Sequence, residues 1–245
     1  MKRVLFPSLA LLSVCLACSA APSRPWRAVV LFDLSGSGSR PSIRAAQLDG
    51  FSILARAVAA QGGSVYAESI GGNPSAMSTT PVAVSFTPPP QVEGNGLFEK
   101  AHAAKQLEAA VAQAREVLSR PSEGGSDIFS ALLLAERIFA RAGKNERRYL
   151  VLFSDMVEHA GRYDFYRQPL DVKATRSVLA TLRRSGMLPR LAGVRVYVAG
   201  AGVDPNGTLT SARAVAIERF WHSYFRATGA TLATGHYSAR LVEFP

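Results

Sequence analysis

Two uninterrupted apolar segments, each ending at an aspartate, constrain the fold of this chain more than any other feature. Arg27 to Phe32 (RAVVLF) stops at Asp33, and Tyr149 to Phe153 (YLVLF) stops at Ser154 and Asp155. A continuous apolar strand is typical of a sheet covered on both faces, whereas a half-exposed strand alternates apolar and polar residues. The two segments therefore predict central parallel strands, with a carboxylate where each strand stops.

Helical patterns separate the predicted strands along the chain. We predict helices over Pro41–Ala60, Leu97–Leu118, Asp127–Ala142, Leu170–Arg184 and Thr210–Thr228. Further strands are predicted over Ser64–Ile70, Val82–Phe86 and Val194–Ala199, with a closing strand at Leu241–Phe244. Strands that alternate with helices form a three-layer α/β/α domain, here 26–245, with a mostly parallel central sheet and helices on both faces.

The first residues have the layout of an export signal. Lys2 and Arg3 precede the apolar segment Val4–Leu16, which is short for a membrane span, and small residues follow it. We assign 1–21 to a signal peptide with two possible processing routes. In one, Leu16-Ala17-Cys18 resembles a lipobox, Cys18 carries a lipid anchor, and the protein is an outer-membrane lipoprotein facing the periplasm. In the other, ordinary cleavage gives a soluble periplasmic or secreted protein.

Charge and motifs narrow the classes of function. The chain has 28 Lys and Arg against 18 Asp and Glu, a formal net charge of +10, which favours an anionic neighbour without choosing among lipid, nucleic acid and acidic protein. No nucleic-acid partner is expected, because aromatic residues are not interleaved with the basic ones. The sequence has no nucleophile-elbow, P-loop or zinc-protease motif, and we expect no enzymatic activity.

Polar residues directly after the first apolar segment form the pattern D-x-S-x-S. Asp33, Ser35 and Ser37 place one carboxylate and two hydroxyls on a tight turn, with Gly36 and Gly38 allowing the backbone to curl. Such oxygen ligands suit Mg²⁺, or Mn²⁺ or Ca²⁺. A rival interpretation is a phosphate-binding turn over Gly36–Ser39, whose backbone N–H groups would surround an anion.

This segment resembles the first element of the metal-ion-dependent adhesion site of von Willebrand factor type A (VWA) domains. Ser126, in a Gly-containing loop before a helix, resembles the second element, where the family usually has Thr. Asp155 resembles the third, although Met156 replaces the usual Gly. The resemblance implies a metal site with five residues: Asp33, Ser35, Ser37, Ser126 and Asp155.

The resemblance also implies how such a site acts. The bound ion keeps an open position, and an acidic residue of a protein partner completes its shell without any reaction. The chain is then an exported, membrane-tethered VWA-domain protein of the cell envelope. Two alternatives remain open: a nucleotide- or phosphate-binding α/β protein, and a metal-free envelope scaffold. Glu158 and His159 are expected to be solvated loop residues.

Overall fold

The computed structural model of the protein describes residues 24–72, 82–86, 96–121, 124–203, 207–241 and 244. The predicted signal peptide and Cys18 lie outside the described residues. No helix in these ranges has the length and apolar character needed to cross a membrane.

The central sheet has six strands in the order β3-β2-β1-β4-β7-β8. Its strands are β1 (Trp26–Asp33), β2 (Gly63–Ile70), β3 (Val82–Phe86), β4 (Arg147–Phe153), β7 (Val194–Ala199) and β8 (Thr231–Ser238), and a separate small hairpin is formed by β5 (His159–Ala160) and β6 (Tyr163–Asp164). Within the described part of the central sheet, only β3 is antiparallel to its neighbour. A mostly parallel sheet in this order is the doubly wound arrangement.

Helices cover both faces of the sheet, which confirms the predicted three-layer α/β/α fold. The helices are α1 (Pro41–Gln61), α2 (Gly96–Ser119), α3 (Ile128–Ala140), α4 (Val172–Arg184) and α5 (Ser211–Thr228). Along β1, Val30 and Phe32 pack with residues of α1 and α2, whereas Val29 and Leu31 pack with residues of α3 and α5. Both faces of β1 are therefore buried, which explains why its sequence is apolar without alternation.

The closing strand was predicted in the wrong place. It is β8, directly after α5, and the described residues of the predicted segment, Leu241 and Phe244, lie in no strand. β8 is an edge strand that pairs with β7 alone, and its register shifts between Val196 and Val198. An edge strand keeps polar and exposed residues, so its sequence TLATGHYS lacks the apolar signal of a central strand.

The parallel register brings three strand ends to one edge of the sheet. Phe32 is opposite Phe153, and Phe153 is opposite Ala199. The residues after these positions, among them Asp33 and Ser154, therefore emerge side by side at the carboxyl edge, where ligands bind in open α/β sheets.

Candidate metal centre

Asp33 is the last residue of β1 and lies at the centre of the predicted site. Its side chain is only 1% exposed. Oδ1 accepts a hydrogen bond from the backbone N–H of Ser35 at 3.0 Å, and Oδ2 accepts one from the Ser154 hydroxyl at 2.6 Å. The Ser126 hydroxyl lies 3.2 Å from each carboxylate oxygen. Residues from three separate loops thus meet on one carboxylate.

Burial dominates the electrostatics of Asp33. Desolvation raises the pKa of its carboxyl, and the hydrogen bonds from Ser154, Ser35 and Ser126 lower that pKa only in part. Hydroxyl and amide donors are neutral, so they stabilise a buried negative charge less than a cation does. A divalent ion beside Asp33 would supply the missing positive charge, and the residues present fit one in this respect.

A second carboxylate is connected to the same turn. The Ser37 hydroxyl donates to Asp155 Oδ2 at 2.7 Å, and Asp155 Oδ1 accepts the backbone N–H of Val157 at 2.9 Å. Because Asp155 directly follows Ser154, the hydrogen bonds of Asp33 and of Asp155 lie next to each other. The turn after β1 therefore contacts the end of β4 through both Asp33 and Ser37.

Gly38, rather than Gly36, is the glycine on which the turn after β1 depends. A Cβ atom on Gly38 would lie 2.0 Å from the carbonyl oxygen of Asp33, whereas one on Gly36 would meet nothing within 4 Å. The turn is closed by a hydrogen bond from Ser39 N–H to the Ser35 carbonyl at 2.9 Å. The expectation that both glycines are needed for the turn was therefore wrong for Gly36.

The loop before α3 aims the Ser126 side chain at Asp33. The backbone of Ser126 exchanges two hydrogen bonds with His159, at 3.1 and 3.0 Å. Asp127 caps α3, since its carboxylate accepts the N–H of Ser130 at 2.9 Å and the Ser130 hydroxyl at 2.7 Å. Asp127 is therefore the residue that caps α3, so the Ser126 hydroxyl is not used as the helix cap and contacts Asp33.

Met156 occupies the position where the resembled family usually has Gly, and its backbone has φ of 65°, in the left-handed region that favours Gly. The side chain is buried in the core, and the Met156 carbonyl accepts the indole N–H of Trp221 at 2.7 Å. The backbone of Met156 therefore has a conformation typical of glycine, and the contacts of its side chain and carbonyl stabilise that conformation.

Two residues beside the site were not identified from the sequence. Ser154 donates to Asp33 and also accepts the N–H of Met156 at 2.9 Å, so it connects the ends of β1 and β4. Its place directly before Asp155 at a strand end was the signal that could have found it. Glu158 had no comparable signal, because its partners lie 29 and 30 residues earlier in the chain.

The expectation that Glu158 is a solvated loop residue was wrong. Its side chain is 0% exposed, and Oε2 accepts the backbone N–H groups of Ile128 at 2.9 Å and Phe129 at 3.2 Å. Burial raises the pKa of the Glu158 carboxyl well above its ordinary value, and the charge of Asp127 raises it further. Oε2 provides an acceptor for two N–H groups at the start of α3 that have no partner within the helix, which offsets part of the cost of burying Glu158. His159 is exposed, as expected.

The predicted ligands include only two carboxylates, so their fit to a metal depends on hydroxyl oxygens. Within the part of the chain that the structure describes, no three His, Cys, Asp or Glu side chains form a metal-binding cluster. A cavity of about 480 Å³ opens beside Ser37 and Asp155, with α1 residues such as Ile43 and Ile53 along its wall. The cavity therefore leaves open space beside the two carboxylates.

The rival phosphate-binding interpretation meets two obstacles in this turn. The N–H groups of Ser35 and Ser39 are already bonded, to the Asp33 side chain and the Ser35 carbonyl. The carboxylates of Asp33 and Asp155 border the same space and would repel an anion.

Comparisons with known proteins bear on the fold alone. The sequence matches no protein-family model and no curated protein. The structure is similar to that of a manganese-loaded TRAP protein of Plasmodium vivax, with 15% identity over 90% of this chain and 70% of that chain, and a TM-score of 0.49. It is also similar to the open conformation of the pilus adhesin SpaC from Lactobacillus rhamnosus GG, with 13% identity, 88% and 28% coverage and a TM-score of 0.46.

A third similar structure is the VWA domain of SpRpn10, with 12% identity over 85% of this chain and 86% of that domain, and a TM-score of 0.40. The solved structures that resemble this chain thus include a VWA domain.

Proposed function

We propose that this chain is a VWA-type binding protein of the cell envelope that holds a divalent cation and uses it to bind a protein partner. The proposed ligands are Asp33, Ser35, Ser37, Ser126 and Asp155, and the proposed ion is Mg²⁺, with Mn²⁺ or Ca²⁺ as alternatives. Its support is the order of the three motif segments together with the oxygen atoms gathered at the carboxyl edge of the sheet.

One observation carries most of the proposal. The Ser126 hydroxyl lies 3.2 Å from both oxygens of Asp33, although the two residues are 93 positions apart. A polar turn or a helix cap alone would not require this meeting, since Asp127 already caps α3. Hydroxyls that donate to carboxylates can still offer their lone pairs to a hard cation.

The bound ion would act as an electrophile toward a carboxylate of the partner. Asp33 and Asp155 would hold the ion directly or through water, and the three hydroxyl ligands carry no charge. The ion would therefore stay electrophilic, so an acidic residue of the partner is the group that best completes its shell. The residues of this chain would fix the position of the ion, and the adjoining cavity would admit the partner's side chain. No nucleophile paired with a base is assigned at the site, and we propose no catalytic role.

Metal binding by matched serine variants tests the proposal. In calorimetric titration with Mg²⁺ and Mn²⁺, we expect Ser37→Ala to weaken affinity by about tenfold or more, because it removes a ligand. Ser39→Ala is the control from the same turn, since its hydroxyl donates to the Gly36 carbonyl, bonds no other described residue, and belongs to a half-buried residue. Equal affinities in the two variants, or binding of ATP in place of metal, would contradict the proposed site.

Export and tethering through lipid on Cys18 form part of this proposal, with a soluble periplasmic or secreted form as the alternative. The support is the arrangement of Lys2, Arg3, the apolar segment Val4–Leu16 and the small residues around Cys18.

A further inference from the structure

Exposed cations gather at the amino-terminal edge of the sheet, opposite the candidate metal centre. We call this surface the basal face. It comprises Arg24, Arg141, Lys144, Arg147, Arg183, Arg184, Arg195 and Arg226, all of which are exposed.

Backbone contacts bring these residues to one edge. The N–H of Arg147, at the start of β4, donates to the Pro25 carbonyl at 3.0 Å, next to Arg24. The end of α5 lies beside the segment that joins α4 to β7, because Leu191 N–H donates to the Thr228 carbonyl at 2.8 Å. Arg195 is opposite Tyr149 in the register of β4 and β7.

The cations of the basal face have no acidic partners among the described residues. Two nearby carboxylates are already engaged, Glu146 by Arg27 at 2.6 Å and Glu136 by Arg190 at 3.2 Å. Favourable interaction with helix dipoles explains cations in the last turns of α4 and α5. It does not explain Arg147 and Arg195 in the strands or Lys144 in a loop.

The same edge carries two exposed apolar side chains. Leu97 and Phe98, in the first turn of α2, are 88% and 72% exposed. α2 runs toward the carboxyl edge, since Arg120 just beyond its end pairs with Glu68 near the end of β2. A helix of 24 residues is about 36 Å long, so the start of α2 lies at the amino-terminal edge.

We propose that the basal face docks on an anionic lipid bilayer and so points the candidate metal centre away from the membrane. Cations together with exposed apolar side chains at one edge are the combination that binds anionic lipid surfaces. The chain enters the domain at Arg24, and the six residues from Cys18 reach at most about 21 Å. An anchor at Cys18 would therefore hold this edge close to the bilayer. The inference uses the proposed tether only for that distance and does not depend on metal binding.

Vesicle sedimentation tests the docking surface in the full chain. Partitioning onto vesicles of phosphatidylcholine with phosphatidylglycerol is compared with partitioning onto phosphatidylcholine alone, so that any lipid anchor contributes equally to both. We expect wild type to prefer the anionic vesicles. Arg183→Gln/Arg184→Gln should reduce that preference by roughly ten- to thirtyfold, because two charges near the surface are lost.

Matched control variants distinguish the effect of the basal face from the effect of the protein's net charge. Lys173→Gln/Arg176→Gln removes the same charge from the first turns of α4, away from the basal face, and should keep most of the preference. If either variant unfolds, Lys144→Gln/Arg147→Gln provides a second test at the same edge. Equal losses in basal and control variants would overturn the proposal. So would wild type that binds a DNA duplex but does not prefer anionic vesicles.

A tryptophan introduced at position 98 tests directly whether the start of α2 contacts the bilayer. Phe98→Trp should show a blue shift of emission with anionic vesicles, while Trp26 and Trp221 are buried and should not respond. The absence of a shift despite sedimentation would exclude α2 from the contact and overturn the proposed face. Ser37→Ala should leave vesicle binding unchanged, so failure of the metal proposal and failure of this one give different results.

Discussion

At the scale of single residues, Met156 shows that a tertiary fold can hold a side chain in a conformation that its sequence disfavours. Left-handed φ costs a non-glycine residue about 1–2 kcal/mol. Burial of the Met side chain and the bond from Trp221 to the Met156 carbonyl offset this strain. A sequence motif that requires Gly at this position would therefore miss chains in which another residue adopts the same backbone conformation.

Two variants at this position should separate backbone strain from packing. Both Met156→Ala and Met156→Gly remove the buried side chain, so both should lower the free energy of unfolding by roughly 2–5 kcal/mol. We expect Met156→Gly to be the more stable of the two by about 1 kcal/mol, because glycine tolerates φ of 65°. Urea denaturation measures the difference. The opposite order, usual at ordinary positions, would show that the backbone there is not left-handed.

Glu158 should make stability depend on pH. Its pKa in the folded protein is raised well above the ordinary value of 4.5. The folded state therefore holds this proton at pH values where the unfolded state has released it. Stability from this group is present at low pH and is lost as the pH rises from about 4.5 through the folded pKa.

Glu158→Gln should remove this dependence, because Gln retains an acceptor for Ile128 and Phe129 but carries no charge. Urea midpoints of wild type and variant are compared from mildly acidic to neutral pH. We expect the wild type to lose stability relative to the variant as the pH rises. A constant difference across the range would mean that Glu158 does not titrate there.

At the scale of elements, the turn between β1 and α1 depends on close backbone approach at one glycine. Gly38→Ala should disturb the turn, lower stability and weaken metal binding together, because its Cβ would lie 2.0 Å from the Asp33 carbonyl oxygen. Gly36→Ala, with open space around it, should leave both properties nearly unchanged. Thermal unfolding and Mg²⁺ titration of the pair check this. Equal effects would show that the turn adopts another conformation.

Over the whole molecule, the basal face and the candidate metal centre occupy opposite edges of the sheet. An eight-residue strand separates the two edges by about 26 Å, roughly three Debye lengths at physiological ionic strength. The cations of the basal face therefore contribute little to attraction at the candidate metal centre. Cations at the carboxyl edge, such as Arg240 in the wall of the cavity beside Asp155, act there instead.

The tether itself can be tested by fractionation. Several acyl chains anchor a protein firmly, whereas one binds marginally. We expect Cys18→Ser to move the protein from the membrane to the soluble fraction, with some residual salt-sensitive binding through the basal face. If the wild-type protein is already in the soluble fraction, lipidation of Cys18 is contradicted. The description of the domain's fold does not depend on this result.

The layered fold and most of the elements could be predicted from the amino-acid sequence, because strands buried on both faces are uninterrupted apolar segments and helices place apolar residues at a regular spacing. The sequence also predicted that Asp33 and Asp155 lie at or just after the ends of these strands, as they do. Their role as metal ligands stays a prediction. The position of β8 was predicted wrongly, because an edge strand does not need the apolar residues by which a central strand is recognised.

Contacts between groups that are distant in the chain became visible in the folded structure. The contacts of Glu158 with the start of α3 and of Ser154 with Asp33 join residues far apart in the chain, and no local pattern encodes them. The same holds for the basal face, where helix ends and strand starts contribute cations from five separate segments. Local sequence specifies the elements, but the free energy of burying polar groups depends on partners that only the packed sheet provides.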